Sequence, residues 1–430
     1  MQGGRKHLQT QLAKGVQLTT VLSHQFKTNQ IIINFRAPIK RTDITKRALL
    51  ANLLETSSAD YPDQRALAHA LAEMYGAAFG AGVSRKGPTH NLQLSITVPN
   101  ERFLATTEPL TMQAIDFLVK IIFKPLVQDG HFDEPTFKRQ ATNLKASIES
   151  VADDKQYYAA QKLNEALFAA DVAQQLPSYG VAADLATITS QELYDYYQTL
   201  LVDDQIDVIM MGDFEEAAVI KRWQAVAFKN RLVARPAAFY RHQDTGNYLE
   251  KTEVQALSQA KLNLGYDFPV FYRDQHYYAA LVFNELFGGS PLSKLFTNVR
   301  EKASLAYYAS SSLDTFRGVL KVSAGIDGQN HDQVLAIIAA QLTAIQQGEF
   351  TDDLVDQLKL GLINDFESSL DSQRTFAIQA LIDDLTQQTV SDADWLKNIQ
   401  AVTRDQIIAV AQLVTLNNGF FLNGGQHESN

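Results

Sequence analysis

Histidine and cysteine bind most transition metals and serve in much nucleophilic catalysis, so their number and spacing limit the chemistry of this chain. It has no cysteine, which excludes disulfides, thiolate catalysis and cysteine-bound zinc. No two histidines are three or four residues apart, so no helix can present a pair of them to one metal ion. A zinc site built from distant histidines stays open as an alternative. The nine histidines are His7, His24, His69, His90, His131, His242, His276, His331 and His427.

Length and composition indicate a globular protein of two or more domains. The chain has 430 residues, of which 46% are hydrophobic and 20% charged. Its net charge of −10 argues against nucleic acid as a partner, because phosphates are bound by clustered lysine and arginine. The densest basic stretch, Lys40-Arg41 with Lys46-Arg47, is predicted to be a solvated helix start.

No membrane association is expected from the sequence. No apolar run approaches the roughly 20 residues that a spanning helix needs, and the N-terminal residues lack the apolar segment of a signal peptide. We therefore predict a cytoplasmic protein.

The elements that would position any site recur in two halves of the chain. Alternating or continuous apolar patterns predict strands in both halves, and the first strand of each half ends at a proline, Pro38 and Pro269. Apolar-periodic helices follow the second strand of each half, near 109–124 and near 331–347. The repeated order indicates an internal duplication. The paired strand segments are 30–37 and 261–268, 92–98 and 319–325, and 207–212 and 419–424.

The order of these elements predicts an α+β fold. Each half has a strand, two helices, a strand, further helices and a strand, which fits helices packed on a mixed, antiparallel-rich sheet. A helical segment and then Arg235-Pro236 and the polar run 241–247 separate the halves. We therefore expect an N-terminal domain at 1–215, a linker at 216–252 and a C-terminal domain at 253–430.

Residues 288–308 carry a resemblance to a known family. They read Gly-Gly-Ser-Pro-Leu-Ser-Lys-Leu-Phe-Thr-Asn-Val-Arg-Glu-Lys-Ala-Ser-Leu-Ala-Tyr-Tyr. This stretch resembles the C-terminal signature of the insulinase/pitrilysin metallopeptidases, the inverted zincins that include the mitochondrial processing peptidases. The resemblance extends over almost the whole chain. It implies two homologous insulinase-type halves that form a clam-like body, and in active members zinc held by H-x-x-E-H on one helix and by a downstream Glu.

The positions where this family holds zinc lack its ligands. Upstream and downstream landmarks place the H-x-x-E-H window at Ala51–Glu55 or at Leu49–Leu53, and neither stretch contains a histidine. Matching the acidic turn Asp153-Asp154 puts Ser147 at the third ligand position. Glu149 lies two residues further on, which is roughly 200° around a helix. We therefore expect no catalytic residue, no metal ligand, no cofactor and no activity of the chain alone.

The resemblance also implies two substrate-binding residues. Residues 299–307 match the family's Val-Arg-Glu-Lys-x-x-Leu-Ala-Tyr pattern, in which an Arg and a Tyr lie near the bound peptide. In this chain they are Arg300 and Tyr307, which could offer a planar charged donor and a hydroxyl on a rigid ring. The structural alternative is that Arg300 pairs with Glu301 or another acid and that Tyr307 fills the core.

One further stretch resembles a non-catalytic branch of the family. Residues 148–155, Ile-Glu-Ser-Val-Ala-Asp-Asp-Lys, and the residues up to Glu165 are similar to insulinase-like proteins of Gram-positive bacteria associated with the 5-aminopentanol modification of elongation factor P. The resemblance implies a homologous partner subunit that carries H-x-x-E-H, with a peptide or protein as the bound substrate. A homodimer stays open.

Three functions are compatible with these patterns. The first is a zinc-less subunit that helps an active homologue enclose and bind peptide substrate. The second is a stand-alone scaffold that binds a peptide or protein. The third is a zinc metallopeptidase with an unrecognised set of ligands.

Overall fold

The computed structural model describes residues 7–231, 235–241 and 248–424, and these form an α+β protein. The strands are β1 (His7–Ala13), β2 (Val16–Leu22), β3 (Thr28–Pro38), β4 (Ala78–Lys86), β5 (Thr89–Pro99), β6 (Val127–Gln128), β7 (His131–Phe132), β8 (Gln205–Gly212), β9 (Leu249–Gln255), β10 (Ala260–Asp267), β11 (Ala306–Asp314), β12 (Val319–Ile326) and β13 (Thr415–Gly424).

The helices fall between these strands in both halves of the sequence. They are α1 (Ile44–Thr56), α2 (Gln64–Glu73), α3 (Leu110–Phe123), α4 (Glu134–Ser150), α5 (Lys155–Leu167), α6 (Val172–Gln175), α7 (Ser190–Asp203), α8 (Glu216–Gln224), α9 (Tyr277–Asn284), α10 (His331–Gln346), α11 (Asp352–Ser369), α12 (Gln373–Thr386), α13 (Asp392–Gln400) and α14 (Arg404–Ala411). Two π-helical segments, Glu285–Gly289 and Phe296–Lys302, follow α9. Among the described residues, no helix is both long and apolar enough to cross a bilayer.

The chain forms two compact units that are not contiguous in sequence. The first unit combines the described residues up to Ser150 with Pro177–Ala238 and Leu370–Gln387, and the second contains the remainder. The division into domains at 1–215 and 253–430 with a linker at 216–252 stays a prediction. The compact units have other boundaries, because each combines segments from both parts of the sequence. Residues 216–224 of the expected linker form α8, whose Trp223 is buried in the first unit. Residues 232–234 and 242–247 of that linker lie outside the described residues.

The sheet of the first unit has the order β1-β2-β8-β3-β5-β4. The β2–β8 pair is parallel, and the other pairs in this sheet are antiparallel. On β5, Leu92, Leu94 and Ile96 are fully buried and alternate with partly exposed polar residues. This period of two directs one face of the strand towards α1 and α3, which pack on it.

The sheet of the second unit repeats this topology without a counterpart of β1. Its order is β11-β12-β10-β13-β9, and the β9–β13 pair is again the parallel one. Ile33 of β3 pairs with Leu94 and Val208, while the corresponding Leu264 of β10 pairs with Val322 and Gly419. The predicted α+β class, the three strand pairs and their order are therefore confirmed.

One helix of each half packs on the sheet that the other half builds. α5, from the N-terminal half, packs on β10 and β13, where Leu163 and Leu167 join Phe420 in one apolar cluster. α12, from the C-terminal half, packs on β8 and β3, with Ala377 and Ala380 against Ile32 and Ile209. Each sheet thus has a face covered by a helix that is distant in sequence.

Candidate functional site

The helix expected to hold zinc is a core helix. α1 carries Leu49–Glu55, and Leu49, Leu50, Ala51, Leu53 and Leu54 are all buried in the apolar core of the first unit. Asn52 and Glu55 are the polar side chains of this stretch, and both are only partly buried. Neither an amide nor a single carboxylate replaces the two imidazoles of H-x-x-E-H. The residues at this position therefore do not fit zinc.

Glu55 has a structural partner instead of a metal. Burial raises the pKa of its carboxyl, and a hydrogen bond from the backbone N–H of Ala81 opposes that rise. Ala81 lies on β4, the edge strand of its sheet. The carboxylate thus satisfies a backbone donor on that strand, which would otherwise have no neighbouring strand to pair with.

The third zinc position is also empty of ligand chemistry. Ser147 lies on an exposed face of α4, and the exposed Glu149 lies 3.8 Å from the ammonium of Lys145. Within the described part of the chain, no group of three or more His, Asp or Glu side chains is placed to hold a metal ion.

α1 is anchored by a buried ion pair rather than by metal. The Nη1 atom of Arg47 lies 2.7 Å from Oδ2 of Asp204, and Nη2 donates to the carbonyl of Phe35 at 2.7 Å. The two side chains are 1% and 5% exposed. The solvated helix start expected at Lys46-Arg47 is therefore wrong for Arg47. Its partner lies 157 residues further along the chain and could not be seen in the local pattern.

Arg300 lies on the second π-helical segment of the second unit. Its side chain is 44% exposed, and Nε lies 3.8 Å from Oε1 of Glu301. The guanidinium carbon lies 4.6 Å from the centre of the Phe296 ring, within the range of a cation–π contact. The ring fixes the side chain from one side, while the ion pair with Glu301 is long and exposed and contributes little.

Tyr307 lies at the start of β11 and is 70% exposed. The register against β12 shifts between Ala306 and Tyr308, so Tyr307 occupies a bulge. Ser304 precedes it in the left-handed region, with φ of 54°. A bulge changes the direction of a side chain relative to the regular strand. The structural alternative required Tyr307 to fill the core, and its exposed ring contradicts that alternative.

The structure brings Arg300 and Tyr307 to one place. Both line an open depression of ≈ 580 Å³ on the second unit. Glu301 and Asp327 place carboxylates at the same depression, so it presents charges of both signs beside an exposed aromatic ring. A role of these residues in substrate binding stays a prediction.

Sequence reasoning missed a second polar cluster, in the first unit. Nη2 of Arg36 lies 2.9 Å from Oδ1 of Asp207 and 2.7 Å from Oδ2 of Asp384. Burial raises the pKa of Asp207 to about 6; Arg36 opposes that rise and Asp384 adds to it. Arg36 was predicted only as part of a strand. Its partner Asp384 is 348 residues away, and no local signal connects the two.

Comparison with known proteins agrees with this reading of the zinc position. The model of the peptidase M16 inactive domain matches residues 187–362. The "probable inactive metalloprotease YmfF" of Bacillus subtilis is 32% identical over 418 residues, which cover 96% of this chain and 97% of that protein. The chain belongs to the M16 peptidase family. This family is the one that the sequence resembled, and α1 carries none of the histidines with which its active members bind zinc.

Solved structures support the M16 fold over the whole chain. A conserved protein from Enterococcus faecalis superposes with a TM-score of 0.94 at 40% identity and covers 98% of this chain and 100% of its own. A peptidase M16 inactive domain from Pseudomonas fluorescens gives 0.79 at 16% identity, covering 99% of this chain and 100% of its own. The second similarity concerns the fold alone. With its zinc positions lost, this M16 protein is an inactive peptidase homologue.

Proposed function

We propose that this M16 homologue is the zinc-less subunit of a heteromeric peptidase and binds a peptide or protein without cleaving it. The observation that carries the proposal is the contrast between its two family sites. The zinc position of α1 is filled with core leucines, whereas Arg300 and Tyr307 are accessible around one depression. Folding gains little from a tyrosine ring that is 70% exposed, so packing does not explain its presence.

The geometry supports grip rather than catalysis. Arg300, held against Phe296, offers donors to a peptide carbonyl or carboxylate, and Tyr307 offers its ring and hydroxyl beside it. Arginine and tyrosine are also, with tryptophan, the side chains enriched at binding hot spots. The depression of ≈ 580 Å³ lies in the usual size range of ligand pockets, about 300–1,000 Å³. No group in it replaces zinc as the polarising ion, so the cleaving site belongs to the partner.

Two finer statements belong to this proposal. The tie to elongation factor P modification rests on the resemblance of residues 148–165, and the cytoplasmic location rests on the sequence. The proposed partner is a homologous chain that carries H-x-x-E-H. Pairing with a second copy of this chain, or no pairing at all, would be a different outcome of the same test.

The first test is a pull-down of the tagged chain from its native cells, with mass spectrometry of the recovered proteins. We expect a chain of similar size that carries H-x-x-E-H. Recovery of a second copy only, or of no homologue, would contradict the subunit proposal. Zinc-dependent, chelator-sensitive cleavage by the purified chain alone would overturn its inactivity.

The second test measures peptide cleavage by the assembled pair. Arg300→Ala and Tyr307→Ala are each expected to raise KM about tenfold, because losing a charged hydrogen bond costs about 1.5–3 kcal/mol and truncating an aromatic hot-spot residue costs about 2 kcal/mol. Tyr157→Ala is the matched control, since this tyrosine of the same unit is also exposed, at 44%, but is not among the residues that line the depression. If Arg300→Ala and Tyr307→Ala left both KM and kcat at the control values, the two residues would be structural.

A further inference from the structure

A second cavity lies within the first unit, between the polar side of its sheet and α12. Its volume is ≈ 230 Å³. The amide side chains of Asn34, Asn91 and Gln93 line it from the strands, and Ile378 and Leu381 line it from α12. One wall is thus polar and the opposite wall apolar, which is the usual composition of a site for a small amphipathic ligand.

A buried arginine with free donors lines this cavity. Arg36 is 2% exposed, and its Nη2 atom serves both Asp207 and Asp384. Its Nε and Nη1 atoms are buried and have no hydrogen-bond partner. A buried donor without a partner costs about 1–3 kcal/mol, and more on a charged group. Arg36 lines the cavity, so an acceptor bound there would satisfy these donors.

The charge around the cavity favours an anion. Arg235, whose side chain is 37% exposed, donates to the carbonyl and to Oδ1 of Asp384, so two arginines balance the two buried aspartates. Three further cations line the cavity, namely Arg85, Lys86 and Arg374. Asp207 is the one carboxylate among the lining residues. The lining is therefore positive, and the carboxylate in it repels a dianion more strongly than a monoanion.

We propose that this cavity binds the carboxylate of a small ligand whose other end is apolar, with Arg36 as the buried anchor and the side chains of α12 against the apolar end. A peptide C-terminus with an apolar last residue has this chemistry, and so does a free branched-chain acid. The volume lies below the about 300–1,000 Å³ typical of drug-sized ligands, so one terminal residue fits and a folded segment does not. The proposal is independent of Arg300 and Tyr307, which belong to the second unit.

Binding to the full chain by titration calorimetry tests the proposal. N-acetyl-leucine is expected to bind, and N-acetyl-leucinamide, which has the same body without the charge, is expected to bind at least about tenfold more weakly. 4-Methylpentanoate, a free branched-chain acid, distinguishes a peptide C-terminus from a free acid as the natural ligand. Weaker binding of this acid than of N-acetyl-leucine identifies a peptide terminus, and equal binding identifies a free acid; both support the site.

Arg374→Glu reverses a lining charge without touching the buried cluster, and we expect it to weaken N-acetyl-leucine about tenfold. Arg65→Glu, on an exposed face of α2, is the matched control and should leave binding unchanged. Arg36 itself is unsuitable for the test, because its removal leaves Asp207 and Asp384 buried without it. The site would be overturned if N-acetyl-leucine and N-acetyl-leucinamide bound equally, or if inorganic phosphate bound more tightly than N-acetyl-leucine. It would also be overturned if N-acetyl-leucine did not bind up to about 10 mM, or if Arg374→Glu left its binding unchanged.

Discussion

Asp207 is expected to make the stability of the first unit depend on pH in an unusual direction. Its carboxyl is buried and shares the guanidinium of Arg36 with Asp384. Burial raises its pKa to about 6, against an ordinary value of 3.8. The folded state therefore holds a proton on Asp207 at pH values where the unfolded chain has lost it. Replacing the carboxyl by an amide, in Asp207→Asn, removes this proton uptake.

The sign and the size follow from linkage. Because the folded pKa lies above the unfolded one, the contribution to stability is complete below pH 3.8 and is lost as the pH rises through about 6. At about 1.4 kcal/mol per pKa unit, the whole difference amounts to about 3 kcal/mol. Between about pH 7 and pH 5, the wild type should gain about 1 kcal/mol relative to Asp207→Asn.

The assay compares the two proteins in urea across this pH range. The chain has two tryptophans, and Trp223 is buried in the first unit, so a Trp395→Phe background reports on that unit by fluorescence. Comparing variants cancels the titration of the groups that do not interact with Asp207. Asp195→Asn on the exposed face of α7, in the same unit, serves as the control substitution. A difference between wild type and Asp207→Asn that is constant with pH, or that grows as the pH rises, would refute the reasoning.

Three further predictions concern stability in urea; unfolding of the first unit is followed by Trp223 fluorescence, and the two glycine variants of the second unit are followed by far-UV circular dichroism of the whole chain. Arg47→Met leaves Asp204 buried without its cation and should lower the free energy of unfolding by about 3–5 kcal/mol; a loss below about 1 kcal/mol would contradict a buried pair. Gly265→Ala places a Cβ 2.6 Å from the methyl groups of Leu167 and should lower the free energy of unfolding by about 1–3 kcal/mol. An unchanged free energy of unfolding would contradict a tight contact between α5 and β10. Gly361→Ala, inside α11 with no atom near the added Cβ, should gain about 0.5–1 kcal/mol, and any loss would contradict an open helix face.

Local pattern was sufficient to find the sheets. The alternation at 92–98 predicted a strand that runs as β5 from Thr89 to Pro99, and the apolar run at 207–212 predicted β8. The repeat of these segments then predicted the order of elements in both halves. Each of these signals lies within a few consecutive residues, because the pleat and the burial of a strand impose a period of two or a continuous apolar run.

Buried charge could not be predicted in the same way. Arg47 and Arg36 resemble surface residues in sequence, since an isolated arginine is rarely fully buried. They are buried because Asp204, Asp207 and Asp384 meet them from distant parts of the chain. A pattern of apolar residues predicts which face of an element is covered, and it contains no information on which distant carboxylate completes the cover.

The placement of α5 and α12 was missed for a related reason. The apolar face of α5, with Ala159, Leu163 and Leu167, fits any exposed apolar sheet face, and its sequence neighbours belong to the N-terminal half. The structure places it on β10 and β13 instead. Contiguous domains were the simplest prediction from the sequence, and only tertiary packing decides between the two sheets.

The leucines at the zinc position of α1 stabilise the core, and this limits which substitutions could restore zinc binding. Four leucines of α1 are buried in the core, namely Leu49, Leu50, Leu53 and Leu54. Full burial of one such side chain contributes about 1.5–3 kcal/mol to the stability of the fold. Histidines introduced there would exchange packing for imidazoles that still lack the third ligand, because Ser147 stands at that position. One substitution therefore cannot restore zinc. Tyr307 contrasts with these leucines, since its ring is 70% exposed and contributes little to packing.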